Sequence, residues 1–404
     1  MLSWLRSHDV EHGNGNPLPW LDNLDFRPSV DGSGEGIFAK NDIDINDVVV
    51  SVPITACITP QVAIDSPVGV AFKALFPSLS SLTSEISFTT PGCDIQSPSH
   101  WTYESLLIWL YISTGLTDTT NPHHLYIKSL PSQTPEVSTW PPKHTQLLTG
   151  TSLHTTLQTE ILFFQSLLKS YLPTLKSHPI FSSLNPSKLL WSKSMYTSRR
   201  YPLTLLSLTS PSFEGCLIPV ADLFNHCNRS KIMWGGGNGM VEFKSGEKVR
   251  EGEEVFNYYG GKGNEKLMSV YGFWLEDNLN EVYYLGLAGR VVEIRRRGSE
   301  EGEQFGEEVW RVLREEMYED GGEEGEEGVV GLEEVEVLKG TLEARLKKLN
   351  EIENKIGVRG EEEVYEIKAI RGYLRGQKKV LEEGIETLEE MIEGVVDDDD
   401  EEKT

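Results

Sequence analysis

Cysteine is scarce in this chain. Four occur among 404 residues, Cys57, Cys93, Cys216 and Cys227, and no two form a Cys-x-x-Cys pair. A structural zinc built from local cysteine pairs is thereby excluded, and no metal site is expected. The thiols should be reduced and mostly buried. Long apolar runs are missing too. No stretch of 18 apolar residues exists, which excludes a membrane-spanning helix. The segment Met1–Asp9 lacks a basic flank followed by an apolar core, so no secretory signal is expected. The expected compartment is the cytoplasm, the nucleus or both.

Positive charge is in short supply: 37 Lys and Arg stand against 63 Asp and Glu, for a net charge of −26. Residues 281–404 hold 37 acidic and 18 basic residues, so most of the excess lies in the C-terminal third. Nucleic acid is a poor partner for such a surface, and a basic protein partner fits better. No membrane partner is expected, and a monomer is the default. Hydrophobic residues make up 38%, enough for a packed core in a chain of two or three units.

Residues 24–60 read as strands and turns. Gly32–Gly36 is a glycine-rich turn, and Val48–Val52 is a β-branched strand stopped by Pro53. The Ser/Thr/Pro-rich stretch Pro77–Ser99 reads as loop. From Thr102 to Tyr201 the pattern is helical. Thr102 can cap Tyr103–Ser113. Leu153, Leu157, Ile161, Phe164, Leu168 and Leu172 form one apolar stripe. Asn185-Pro186 starts a helix that Pro202 must end. Strands return at Cys216–Val220, Val241–Phe243, Val255–Tyr258 and Val282–Leu287, with a short helix over Asn264–Tyr271. Beyond Arg290 lie an acidic, glycine-rich loop (Glu319–Gly328) and two amphipathic helices. The first is marked by Val335–Leu349 and the second by Val364–Ile392, with a break expected near Gly384. Asp397–Glu402 reads as a disordered acidic tail.

Four segments carry chemistry. In Ser33-Gly-Glu-Gly-Ile37 the glycines allow a ligand to approach the backbone closely. Arg199, in Ser198-Arg-Arg-Tyr201, offers a planar fork for a carboxylate. Asn225-His226 closes the apolar run Pro219–Phe224, and its amide can hold a zwitterion. Tyr258-Tyr259-Gly260 is followed by Asn264–Phe273, which carries Tyr271. Each segment alone also fits an ordinary turn, helix end or aromatic core. Together they offer amide, imidazole and phenol groups but no activated nucleophile. Such a set suits a cofactor that brings its own reactive group.

Gly34-Glu-Gly-Ile-Phe-Ala39, Pro219–His226, Gly252–Gly260 and Asn264–Phe273 occur in the order and style of SET-domain protein methyltransferases. The chain resembles, more narrowly, the Rubisco large-subunit methyltransferase-like branch, which includes fungal ribosomal-protein lysine methyltransferases. The resemblance implies an α+β fold: a SET β-fold with a pseudoknot, an inserted helical subdomain and a helical C-terminal domain. The corresponding expected division is an N-terminal helical segment (1–23) and a SET domain (24–260) with its insertion at about 100–205. A SET flank (261–289), a substrate-binding-like helical domain (290–394) and the tail (395–404) follow.

It further implies S-adenosyl-L-methionine as cofactor. The backbone at Glu35 and Gly36 would meet it, Arg199 its carboxylate, and Asn225 and His226 its amino-acid and adenine parts. Phe273 would wall the adenine. Tyr259 would be the catalytic tyrosine and Tyr271 the second tyrosine of the target-nitrogen channel. The implied activity is lysine N-methylation of a basic, non-histone protein, a ribosomal protein or translation factor among them. Histidine methylation and a non-catalytic SET-like binding module are the alternatives. The chain departs from the family pattern at Cys227, where serine is common. It departs again at Arg200-Tyr201, where a small residue and an aromatic are commoner, and at the acidic Glu35.

Overall fold

The structure is a computed structural model. It describes residues 2–6, 18–29, 34–79, 81–90, 93–96, 100–133, 136–206, 214–318, 330–356 and 364–401. Its contacts divide the chain into two units: Met1–Thr134 with Gln158–Gly260, and Pro135–Leu157 with Gly261–Thr404.

In the first unit, strand Leu24–Pro28 pairs antiparallel with Glu35–Ala39, which in turn pairs with Glu254–Val255. Ser29 N donates to Gly34 O and closes the first hairpin. Of the expected glycine turn, Gly32 and Ser33 lie outside the described residues; Gly34 has φ +111°, open to glycine at no steric cost. A second sheet joins Val48–Pro53, Met240–Lys244 and Met233–Gly237. β-Branched Val50 and Val52 are buried with Val241 and Phe243 in one core that also takes in Ile37, Cys216 and Phe224.

The helical part of this unit centres on Tyr103–Gly115. Its N-terminus is held by a capping box, Thr102 with Ser105. Nearly every side chain from Glu104 to Gly115 is buried, so this helix runs through a core rather than over it. Helix Pro186–Arg199 packs against it, capped by the Asn185 side chain on Lys188 N at 2.9 Å. One buried carboxylate ties the two together. Glu214 accepts from Thr102 Oγ1, Ser105 Oγ, the Tyr196 hydroxyl and Arg200 Nη1. A buried acid carries such a cost that only this density of donors stabilises it.

The second unit contains the hairpin Val282–Leu287 with Arg290–Arg295 and the helices Glu307–Met317, Leu332–Lys355 and Tyr365–Glu401. Leu338, Leu342, Leu349, Ile370, Leu374, Leu381 and Leu388 interdigitate in its core. Each such burial contributes about 1.5–3 kcal/mol.

Several expectations need correction. The stretch Pro77–Ser99 contains a hairpin, Ser87–Thr90 with Cys93–Gln96. Its threonines are β-branched and suit a strand as well as a loop. The strand at Cys216–Val220 is shorter, Gly215–Cys216, with one further bridge at Leu217. Val220 turns the chain with φ +73° into a 3-10 turn at Ala221–Leu223. The strand at Val255–Tyr258 likewise ends at Val255. Gly384 does not break the last helix. A Cβ there would lie 3.0 Å from Leu342 Cδ1 and 3.4 Å from Phe305, so the glycine provides room for close packing. That helix continues through Asp397–Asp400 to Glu401, so the acidic run is not a tail of its own. The loop Glu319–Gly328 lies outside the described residues.

Candidate active site

Two short segments, remote in sequence, run side by side in the first unit. Asn257 N donates to Asn225 O at 2.8 Å, and Cys227 N donates to Asn257 O at 2.9 Å, making a parallel bridge at His226. The chain leaves strand geometry at Val220 and again after Val255, so the two segments meet outside the named strands.

His226 is fixed at both ring nitrogens. Its Nδ1 accepts from Tyr259 N at 3.1 Å, which leaves Nε2 as the protonated nitrogen, donating to Asn228 Oδ1 at 2.9 Å. The ring lies beside two tyrosines, 5.0 Å from Tyr259 and 5.9 Å from Tyr258 by centroids. The Tyr259 hydroxyl donates to the carbonyl of Phe224, one residue before Asn225.

Asn225 Nδ2 donates to Glu254 Oε1 at 2.7 Å and approaches the Glu35 carbonyl at 3.4 Å. Ser29 Oγ donates to the other oxygen of Glu254 at 2.6 Å. Gly36 borders this pair. A Cβ on it would sit 2.3 Å from Glu254 Oε1 and 3.1 Å from Asn225 Nδ2, so a larger residue would have to push the Glu254 carboxylate aside. Glu35 takes part through its carbonyl, while its own side chain is exposed.

Arg199 lies against Asp222, Nε to Oδ2 at 3.9 Å, and Nη1 donates to Ser198 Oγ at 2.8 Å. Its Nε is buried without a hydrogen-bond partner. Asp222 also accepts from the Tyr126 hydroxyl at 3.0 Å. Burial pushes the Asp222 carboxyl up to about 6, against the opposing pull of Arg199 and the Tyr126 hydrogen bond. Arg199 thus joins the site through the turn that carries Asp222, not by a direct bond to Asn225.

The two departures at Arg200-Tyr201 have structural partners. Arg200 meets Glu214, and the buried Tyr201 hydroxyl donates to Ala221 O at 2.7 Å while accepting from Asn257 Nδ2 at 3.2 Å. Trp234 Nε1 donates to Asn257 Oδ1 at 2.8 Å, so Asn257 is fixed from two sides. Cys227 is half-buried and enters the site through its backbone amide.

Gly36, Asn225, His226 and Tyr259 are therefore gathered around one crossing, with Arg199 one turn away. Tyr271 and Phe273 belong to the second unit, where their rings lie 6.2 Å apart. Sequence reasoning missed Glu254, Asp222 and Ser29. Glu254 could have been found by strand alternation: Val255 is buried, so its neighbour must face the other way. Asp222 carries no such signal, because a turn has no fixed face.

No family model matches the chain. It is 42% identical over 90 residues to ribosomal lysine N-methyltransferase 1 of Saccharomyces cerevisiae, which is 22% of this chain and 15% of that protein. It is 25% identical over 243 residues to SET domain-containing protein 8 of Schizosaccharomyces pombe, covering 59% of this chain and 51% of that one. The chain thus spans about half or less of the length of these relatives. Among solved structures, the SET domain of LSMT bound to lysine and AdoHcy aligns with a TM-score of 0.67. That alignment covers 96% of this chain and 90% of that one at 18% identity. Rubisco LSMT bound to AdoMet aligns with the same score at 17% identity. The fold is that of the LSMT SET domain, α+β with a helical C-terminal region.

Proposed function

We propose that this chain is an S-adenosyl-L-methionine-dependent protein-lysine N-methyltransferase acting on a basic, non-histone protein of the ribosomal class. The observation that carries the reading is the crossing itself. A tyrosine hydroxyl, an asparagine amide and a tautomer-fixed histidine converge beside a glycine against which the Glu254 carboxylate packs. The names of the relatives support the same reading. The acidic C-terminal third favours a basic protein over nucleic acid, and the cytoplasm or nucleus would be the compartment.

The residues fit the cofactor. Glu254 and Asn225, bonded together beside Gly36, suit an ammonium group. The Arg199 guanidinium, whose Nε makes no hydrogen bond, suits a carboxylate. The His226 and Glu35 backbones would hold the adenine and ribose side. When bound, S-adenosyl-L-methionine supplies an electrophilic methyl group on a sulfonium, so the protein needs no nucleophile of its own.

The chain's own residues position and desolvate. The Tyr259 hydroxyl is held at Phe224 O, one step from Asn225, where it can orient a methyl group and a neutral amine. Carbonyls at the crossing, Phe224 among them, can accept weak C–H contacts. A target lysine must be neutral to attack, and desolvation on binding would disfavour its ammonium form. Tyr271 and Phe273 keep the roles that their motif implies.

The test incubates wild type and Tyr259→Phe with labelled S-adenosyl-L-methionine and acid-extracted ribosomal proteins, with the modified residue read by mass spectrometry. Wild type should methylate lysine, and the variant should be slower by roughly 100-fold. Equal labelling by both removes Tyr259 from the reaction. A wild type that binds no cofactor by calorimetry overturns the enzyme reading.

A further inference from the structure

In the second unit, the turn that carries Tyr271 is fastened from one helix. Segment Asn264–Lys266 starts as α-helix and widens to a π-type turn over Leu267–Tyr271. Gly272 closes it with φ +77°, its amide donating to Leu267 O at 2.9 Å and Met268 O at 3.2 Å. Asn264 then clamps the far end. Its Nδ2 donates to Leu275 O at 3.0 Å, and its Oδ1 accepts from Leu275 N at 2.8 Å. Tyr271 and Phe273 lie inside this closed loop.

Helix Tyr365–Glu401 supplies the outer fastening. The Tyr365 hydroxyl donates to Gly272 O at 2.7 Å. The Tyr373 hydroxyl donates to Glu265 at 3.1 Å. Gln377 Nε2 donates to Glu281 Oε1 at 3.0 Å, the same oxygen that accepts Asn264 N at 2.9 Å. Positions 365, 373 and 377 share one face of a helix. On that face Gly372 and Gly376 bring the backbone in. A Cβ at Gly372 would lie 2.0 Å from Trp274 Nε1, and one at Gly376 would lie 2.6 Å from Glu281 Oε2.

Asn264, Glu265, Glu281, Tyr373 and Gln377 are all buried. Apolar side chains of similar shape would fill that space at lower cost. A buried polar network instead selects one arrangement. π-Type turns are frequent at functional sites.

We infer that Tyr365, Tyr373 and Gln377 are positioning residues: one face of the C-terminal helix sets where the Tyr271 turn sits. The inference rests on the methyltransferase reading for its kinetic consequence alone. It assigns this helix a part in turnover, distinct from substrate capture.

Two variants test it. Tyr365→Phe removes one hydroxyl from a ring that is 48% exposed, so the fold tolerates it. Gly376→Ala pushes at Glu281 without deleting any hydrogen-bonding group. Initial rates are measured with labelled S-adenosyl-L-methionine and acid-extracted ribosomal proteins. Amide hydrogen exchange is followed over residues 264–275. Both variants should lower apparent kcat by about 3–10-fold with both KM values within about twofold. Exchange at Gly272–Leu275 should quicken about tenfold or more, with Tm held within about 2 °C for Tyr365→Phe. A raised KM for the protein substrate with unchanged kcat would make the helix a substrate reader and overturn the inference. So would unchanged exchange at 272–275 in both variants. If wild type transfers no methyl group, the activity reading fails by itself, and the exchange data decide the positioning role.

Discussion

The backbone amide of Tyr259 donates to Nδ1 of His226 at 3.1 Å, so one peptide group decides the tautomer of the imidazole across the crossing. The same peptide places the Tyr259 ring 5.0 Å from the imidazole. The tautomer of the histidine and the backbone that carries the phenol are thereby coupled.

Replacing His226 breaks that coupling. His226→Leu leaves the Tyr259 amide without its acceptor, which costs about 1–2 kcal/mol in urea unfolding. Cofactor affinity measured by calorimetry should fall at least tenfold. An unchanged affinity would place the histidine outside the cofactor site.

Gly36→Ala should be severe for its size. The added methyl would overlap Glu254 Oε1, at 2.3 Å, and must break the Glu254–Asn225 bond or shift a central strand. The expected loss is about 1–3 kcal/mol. Gly36→Ala combined with Glu254→Ala should recover part of that stability but not cofactor binding. Recovery of both would make Glu254 a mere obstacle.

Tyr201→Phe probes the support beneath the crossing. The hydroxyl bonds Ala221 O and Asn257 Nδ2, and its loss strands two buried groups. Unfolding should ease by about 1–3 kcal/mol. Binding should weaken less than in His226→Leu, because Trp234 still holds Asn257.

Glu281 gives the second unit a pH dependence. Burial pushes its carboxyl up to about 8, with Glu265 adding to the shift and the bonds from Asn264 and Gln377 opposing it. The folded state therefore keeps a proton that the unfolded chain releases near its ordinary value of 4.5. Stability is greatest at low pH in this respect. It falls as pH rises from about 4.5 to about 8, because the folded state binds more protons across that window. Glu281→Gln keeps an acceptor oxygen and abolishes the ionisation. Thermal unfolding between those limits should show a flatter pH slope than wild type. An identical slope would remove Glu281 as its source.

The helix caps at Thr102 and Asn185 were legible because their hydrogen bonds are made within three residues. So were the strands Val48–Pro53 and Val282–Leu287, where β-branched and aromatic residues sit together. The hairpin inside Pro77–Ser99 was not, since Ser and Thr serve loop and strand alike. Nor was the role of Gly384, read as a break. A glycine in a helix looks the same in sequence whether it loosens the helix or admits a neighbour, and only Leu342 and Phe305 tell which.

Local chemistry, then, was settled by the chain itself: which residues carry amide, imidazole and phenol groups, and where glycines stand among them. Pairing was settled by tertiary structure. Glu254 on Asn225, Asp222 beside Arg199 and Gln377 on Glu281 join residues with no periodic relation in sequence. Such long-range bonds form only after packing has expelled water and left each buried polar group to find its partners within the protein.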